Sequence, residues 1–217
     1  MRNKNDEYVK HLEETISKFL EPIKDIPYRI AIKVLTGCDV LKFDPELDEN
    51  KDLLLKLKKA AEIAGKKARE KGIRSKRPNE AGNKIESFVI ESLREVGLDA
   101  DKPKAKSGRK KASGYPDIKI LYNDKVIYLD CKTYSSKTKE QTFRTFYFSP
   151  SDDPKITEDA FHFLLSYELK QTGRIFVPVS WQLYTLENLW VQVKHEFNAS
   201  NKDIYKKEFL LLQGKLK

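Results

Sequence analysis

Apolar residues recur at helical spacing along the first part of the chain and at strand-like spacing along the second. In DEYVKHLEETISKFLEPIK (6–24), Val9, Leu12, Ile16, Phe19 and Leu20 share one helical face, and Pro22 marks the stop. YRIAIKVLTG (28–37) predicts a short helix ending at Gly37, and PELDENKDLLLKLKKAAEIAGKKAREKG (45–72) a long one ending at Gly72. RPNEAGNKIESFVIESLREVG (77–97) predicts another, with Ile85, Phe88, Val89, Leu93 and Val96 as its apolar stripe and Gly97 as its stop. The period then changes. Strands are predicted at 116–122, 125–133, 142–148, 160–168 and 174–185, with a helix near 187–197 and an ambiguous tail. No internal repeat or low-complexity linker interrupts this order. The pattern predicts one α/β domain carrying an N-terminal helical lobe, with the lobe over 1–78 and the core over 79–217.

The stretch GYPDIKILYNDKVIYLDCKTY (114–134) combines two strand-like segments with Asn123-Asp124, a pair that tolerates the positive φ of a two-residue turn. Counting outward, Tyr122 pairs with Lys125, Ile120 with Ile127, and Asp117 falls opposite Asp130. Opposed residues share a face, and Lys132 shares that face with Asp130 because strand side chains alternate. Ile127, Leu129 and Cys131 point the other way. Two opposed carboxylates destabilise a sheet unless a positive charge compensates them. Lys132 does so in part, and a divalent cation does so better. Oxygen-rich sites of this kind suit Mg²⁺, which takes one or two carboxylates and keeps several waters. A surface ion-pair cluster without function is the other reading of the same patch. A rival acid-x-Lys set, Asp153 with Glu168 and Lys170, has no tight turn to bring its members together.

Charge sharpens this picture. The 217 residues carry 42 Lys+Arg against 33 Asp+Glu, a net charge of +9, and the excess is clustered. GKKAREKGIRSKR (65–77) holds seven cations and one acid, and KPKAKSGRKK (102–111) six cations and no acid. Runs of this kind fit a polyanion, because each neutralised phosphate releases condensed counterions. Arg74, Lys76, Arg77, Lys106, Arg109, Lys110 and Lys111 are the candidate contacts. TYSSKTKEQTFRT (133–145) adds Lys137, Gln141 and Arg144 near the hairpin. Neither run has the bulky apolar face of a membrane-surface helix. No apolar run approaches the roughly 20 residues needed to cross a bilayer. The start of the chain has no signal-peptide core, so the expected compartment is the cytoplasm. Cys38 and Cys131 suggest neither a disulfide framework nor a zinc site. The three histidines, His11, His162 and His195, show no metal-ligand spacing. No Gly-rich phosphate loop is present, which argues against an ATP-driven activity.

Pro116-Asp117, a strand-length gap, then Asp130-Cys131-Lys132 resembles the PD-(D/E)XK nuclease superfamily, and within it the type II restriction endonucleases. The resemblance covers about 79–185, in the order helix, basic loop, hairpin, further strands. It implies a restriction-endonuclease-like α/β fold, a central mixed sheet of about five strands flanked by helices. It also implies that Asp117 and Asp130 ligate one or two Mg²⁺ ions and that Lys132 orients the attacking water or stabilises phosphate charge. In many members a glutamate on the preceding helix completes the acidic set. Glu86 stands in that place, with Glu80 as the alternative. The implied activity is sequence-specific hydrolysis of double-stranded DNA leaving 5′-phosphates, by a homodimer, with a cognate DNA methyltransferase encoded nearby. A structure-specific or repair endonuclease, of the junction-resolving or nicking type, and a non-catalytic DNA-binding protein on the same fold are the alternatives.

Overall fold

The computed structural model describes residues 2–21, 23–74, 78–111, 114–135, 146–173 and 175–193. Elements follow in the order α1 (Arg2–Leu20), β1 (Ile26–Pro27), α2 (Tyr28–Thr36), α3 (Asp48–Lys71), β2 (Ile73–Arg74) and α4 (Pro78–Glu95). Then come β3 (Asp99–Asp101), β4 (Ile118–Tyr122), β5 (Lys125–Tyr134), β6 (Ala160–Thr172), β7 (Ile175–Thr185) and β8 (Trp190–Val191). The chain divides into two compact units, one of residues 1–26 and 191–217 and one of residues 27–190. In the first, α1 is an amphipathic helix that carries the predicted stripe.

Helix ends fall where the glycines predicted them. Gly37 caps α2 in the left-handed conformation, with φ 80°, and its N–H returns to the Lys33 carbonyl at 2.9 Å. Gly72 ends α3 at φ 67°, and Gly97 follows α4 at φ 80°. Leucine and alanine alternate with charge along α3, so that Leu53, Leu57, Ala60, Ala61, Ala64 and Ala68 are buried. The small residues let the helix lie close to the sheet. A Cβ on Gly65 would stand 3.3 Å from the Tyr167 ring, whose hydroxyl donates to the Ala61 carbonyl at 2.8 Å.

The main sheet has six strands in the order β2-β7-β6-β5-β4-β3 rather than about five. Pairing is antiparallel except between β5 and β6, so the sheet is mixed. The additional members, β2 and β3, are edge strands of two and three residues. Segments that short owe their extension to the neighbour they bond, and carry no periodicity of their own. The strand predicted at 142–148 is irregular at 146–148, and its remainder lies outside the described residues. The helix predicted near 187–197 is replaced over 187–193 by a turn at Leu186–Leu189 that leads into β8, and 194–197 lie outside the described residues.

One sheet face builds the main core. Ile118 and Ile120 of β4, Ile127, Leu129 and Cys131 of β5, and Phe161, Phe163, Leu165, Tyr167 and Leu169 of β6 pack there against α3 and α4. The opposite face of β5 and β6 is also buried, beneath α2 and the segment around 146–156. Tyr28, Tyr128 and His162 sit at its centre, each under 2% exposed. Phe146, Phe148 and Tyr115 surround Tyr28 and His162 at centroid distances of 5.6–6.3 Å. Burial holds His162 well below its ordinary value, at about 3, so the ring is a neutral core group. It accepts or donates through Nδ1 to the hydroxyls of Tyr28 and Tyr115, at 2.9 and 2.7 Å. The doubly buried β5 thus delivers a carboxylate to a place with little water.

Candidate active site

Asn123 and Asp124 adopt φ 45° and 59°, the left-handed pair that a two-residue hairpin turn demands. The register that follows pairs Tyr122 with Lys125, Leu121 with Val126, Ile120 with Ile127 and Ile118 with Leu129. One step further along the same register sets Asp117 opposite Asp130. Because Ile118, Ile127, Leu129 and Cys131 face the core, Asp117, Asp130 and Lys132 share the other side.

Asp130 is 2% exposed, and its Oδ2 lies 2.8 Å from Lys132 Nζ. That ion pair is the compensation Asp130 receives from its own strand. Asp117 is only half-buried, and its Oδ2 accepts from the Cys131 backbone N–H at 2.9 Å. Burial, and then the neighbouring Asp117 carboxylate, push Asp130 up to about 7, against the opposing pull of Lys132. For Lys132 burial acts downward, but Asp130 and Asp117 outweigh it and hold the ammonium above its ordinary value. Lys132 therefore stays charged, while the two carboxyls together carry more negative charge than one ammonium satisfies.

Glu86 comes from α4, whose buried residues Ile85, Val89, Ile90 and Leu93 fix the helix on the sheet. Its side chain is 15% exposed and pairs loosely with Lys102 at 3.7 Å. Burial and the Asp117 carboxylate raise its pKa, offset by Lys102, Lys132 and Lys155. Glu86 is thus within electrostatic reach of the hairpin acids. The alternative, Glu80, has a side chain outside the described residues. Among the described residues no three Asp, Glu, His or Cys side chains stand close enough to cage an ion by themselves. Two adjacent carboxylates, one of them buried against a single ammonium, instead fit a hard cation that keeps most of its waters, as Mg²⁺ does.

Sequence reasoning missed Lys155. It is 6% exposed and donates to the Gly114 and Pro116 carbonyls at 2.7 and 3.1 Å. Asp153-Pro154-Lys155 is itself an acid-x-Lys triplet, but its acid turns away, to the Ser107 N–H and Oγ, each at 2.8 Å. The rival set thereby dissolves, since Glu168 accepts from Ser180 Oγ at 2.9 Å on the neighbouring strand.

The chain matches the model of the type II restriction enzyme MjaV family over residues 6–208. It is 35% identical over 227 residues to the type II restriction enzyme MjaV of Methanocaldococcus jannaschii, covering 97% of this chain and 98% of that protein. The chain belongs to the MjaV family of type II restriction enzymes. No solved structure matches it.

In this member of the MjaV family the predicted cationic contacts fall in three situations. Lys106 and Arg109 are exposed on a tight loop, where the Gly108 N–H bonds the Ala105 carbonyl and the Ala105 N–H bonds the Arg109 carbonyl. Arg74 is exposed on the edge strand β2. Lys110 and Lys111 face acids of their own, Asp101 at 3.6 Å and Asp153 at 3.3 Å, and Lys111 also reaches Ser151 Oγ. Lys76, Arg77, Lys137, Gln141 and Arg144 lie outside the described residues. Both cysteines are free thiols, Cys131 buried beneath the acid pair. No helix among the described residues is long and apolar enough to cross a membrane.

Proposed function

We propose that this chain is a Mg²⁺-dependent type II restriction endonuclease of the PD-(D/E)XK kind. It hydrolyses phosphodiester bonds of double-stranded DNA at a short specific sequence and leaves 5′-phosphates. The observation that carries the reading is the pairing of Asp117 with a buried, under-compensated Asp130 beside Lys132, in a chain that belongs to a type II restriction enzyme family.

Asp117 and Asp130 would hold the ion, and Glu86 would add negative charge from the helix side. When bound, Mg²⁺ polarises a phosphoryl oxygen and makes a coordinated water more acidic. Lys132, kept charged by Asp130, places its ammonium where charge builds on the phosphate during in-line attack. The dry aromatic layer behind Asp130 strengthens each of these interactions relative to water. Arg74, Lys106 and Arg109 contact the phosphate backbone and set the duplex in place without reading sequence. Two copies related by a two-fold axis cut the two strands of a symmetric site. A cognate methyltransferase protects the host's own sites.

Digestion of unmethylated plasmid DNA with purified protein and Mg²⁺ tests this reading. Discrete fragments that ligate without prior phosphorylation are expected. Cleavage confined to branched or mismatched DNA, or a gel shift without cutting in any divalent metal, would overturn it.

A further inference from the structure

We propose that Lys155 is a second lysine of this site, a positioning residue that holds the turn presenting Asp117. Asp117 lies just ahead of β4, so the sheet ladder that fixes Asp130 does not by itself fix Asp117. Two contacts fix it instead. One is the hydrogen bond from the Cys131 N–H to its carboxylate. The other is Lys155, whose ammonium bridges the carbonyls of Gly114 and Pro116, immediately before Asp117.

A buried ammonium that serves only to fasten a turn is a costly choice, since a neutral donor would do so without desolvating a charge. The acids offset part of that cost, although burial still leaves the Lys155 pKa below its ordinary value. Lys155 lies within electrostatic reach of Asp117, Glu86 and Asp130, and their negative charge opposes the downward pull of burial on its pKa. Three carboxylates therefore face three lysines, Lys132 on β5, Lys155 on the segment before β6, and Lys102, which pairs with Glu86. Tyr115 secures the turn further, through its hydroxyl on His162 Nδ1 at 2.7 Å. On the outer side of Lys155 lies a cavity of about 260 Å³ between α2 and the 147–156 segment. The Lys155 contacts therefore join that segment to the acid pair.

Positioning and simple charge compensation predict opposite responses to magnesium. Removing a cation from beside three acids tightens Mg²⁺ binding if charge is all that Lys155 supplies. Loosening the turn that carries Asp117 weakens it. The proposal rests on the nuclease reading for its catalytic readout, so a second readout independent of activity accompanies it.

The experiment compares wild type with Lys155→Met and Lys155→Arg in single-turnover cleavage over a Mg²⁺ titration, and by amide hydrogen exchange of the metal-free proteins. For Lys155→Met, misplacement of Asp117 is expected to lower the cleavage rate about 100-fold. The half-saturating Mg²⁺ concentration rises and DNA affinity stays near the wild-type value. Exchange at Tyr115, Asp117 and Ile118 is expected to accelerate about tenfold while the α3 amides keep their protection. Lys155→Arg, which keeps the charge and the donors, recovers part of each loss. If Lys155→Met does not fold, the Lys155→Arg exchange pattern decides in the same way, with an effect confined to the turn expected. Unchanged exchange across 115–118, or a fall in half-saturating Mg²⁺, overturns the proposal. If wild type cuts no DNA, the nuclease reading fails by itself, and the exchange data still decide the role of Lys155.

Discussion

The carboxylate of Asp117 accepts a hydrogen bond from the backbone amide of Cys131, at 2.9 Å, which ties the acid before β4 to the strand that bears Asp130. Like charges directly opposed on a hairpin push apart. This bond, made to the one backbone donor between Asp130 and Lys132, keeps them together. Asp117→Asn preserves an acceptor for that amide but removes the charge, whereas Asp117→Ala removes both. Both variants are expected to lose cleavage by at least about 100-fold. Only the alanine variant is expected to accelerate amide exchange at Cys131.

Stability should depend on pH through Asp130. Its carboxyl, pushed up to about 7 by burial and by Asp117, still binds a proton that the unfolded chain has released. An unfolded aspartate titrates near about 3.9, so the metal-free protein loses stability as pH rises from about 4 to about 7. Above that window this group causes no further loss. Asp130→Asn is therefore expected to raise the melting temperature of the metal-free protein at about pH 8 and to leave it unchanged near pH 4. Added Mg²⁺ is expected to stabilise wild type more at the higher pH, because proton and ion compete for the same oxygens. Calorimetry at the two pH values, with and without the ion, checks both statements.

Lys132 balances Asp130 in the resting site, and in the proposed mechanism it also meets the phosphate. Lys132→Met leaves a buried carboxyl without its counter-charge, so Asp130 should shift further toward the protonated form. Cleavage is expected to fall by about 100- to 1000-fold at neutral pH. The pH–rate profile should move to higher pH. An unchanged profile would assign Lys132 to phosphate contact alone.

Gly72 tests the fold away from the site. Its φ is 67°, and a Cβ there would stand 2.9 Å from Ile175 Cγ2 on β7. Gly72→Ala adds backbone strain and a clash at the junction of α3 with β2, a cost of about 1–3 kcal/mol. The melting temperature should fall by about 2–4 °C for each kcal/mol, with cleavage at low temperature intact.

The hairpin was legible because two local signals agreed. Asn123-Asp124 permits one turn type, and strict alternation on both sides permits one register, so the opposition of Asp117 and Asp130 followed by counting. Helix ends were legible for a similar reason, since Gly37, Gly72 and Gly97 each sit where positive φ is required. The edge strands β2 and β3 were not, because two or three residues carry no period and their extension is imposed by β7 and β4. The burial of Asp130 was hidden as well. Alternation shows which residues share a face, but not that α2 and the 146–156 segment cover that face. Lys155 escaped notice for the same reason, its neighbours being the carbonyls of a turn some forty positions earlier, as the separations of 41 and 39 record.

The central claim is that Asp130 anchors the ion required for cutting. Its most direct test is cleavage and gel-shift assay of Asp130→Ala beside wild type on the same unmethylated duplex. Abolished cutting in Mg²⁺ with measurable DNA binding is the predicted result. An Asp130→Ala protein that cuts as wild type does would contradict the account.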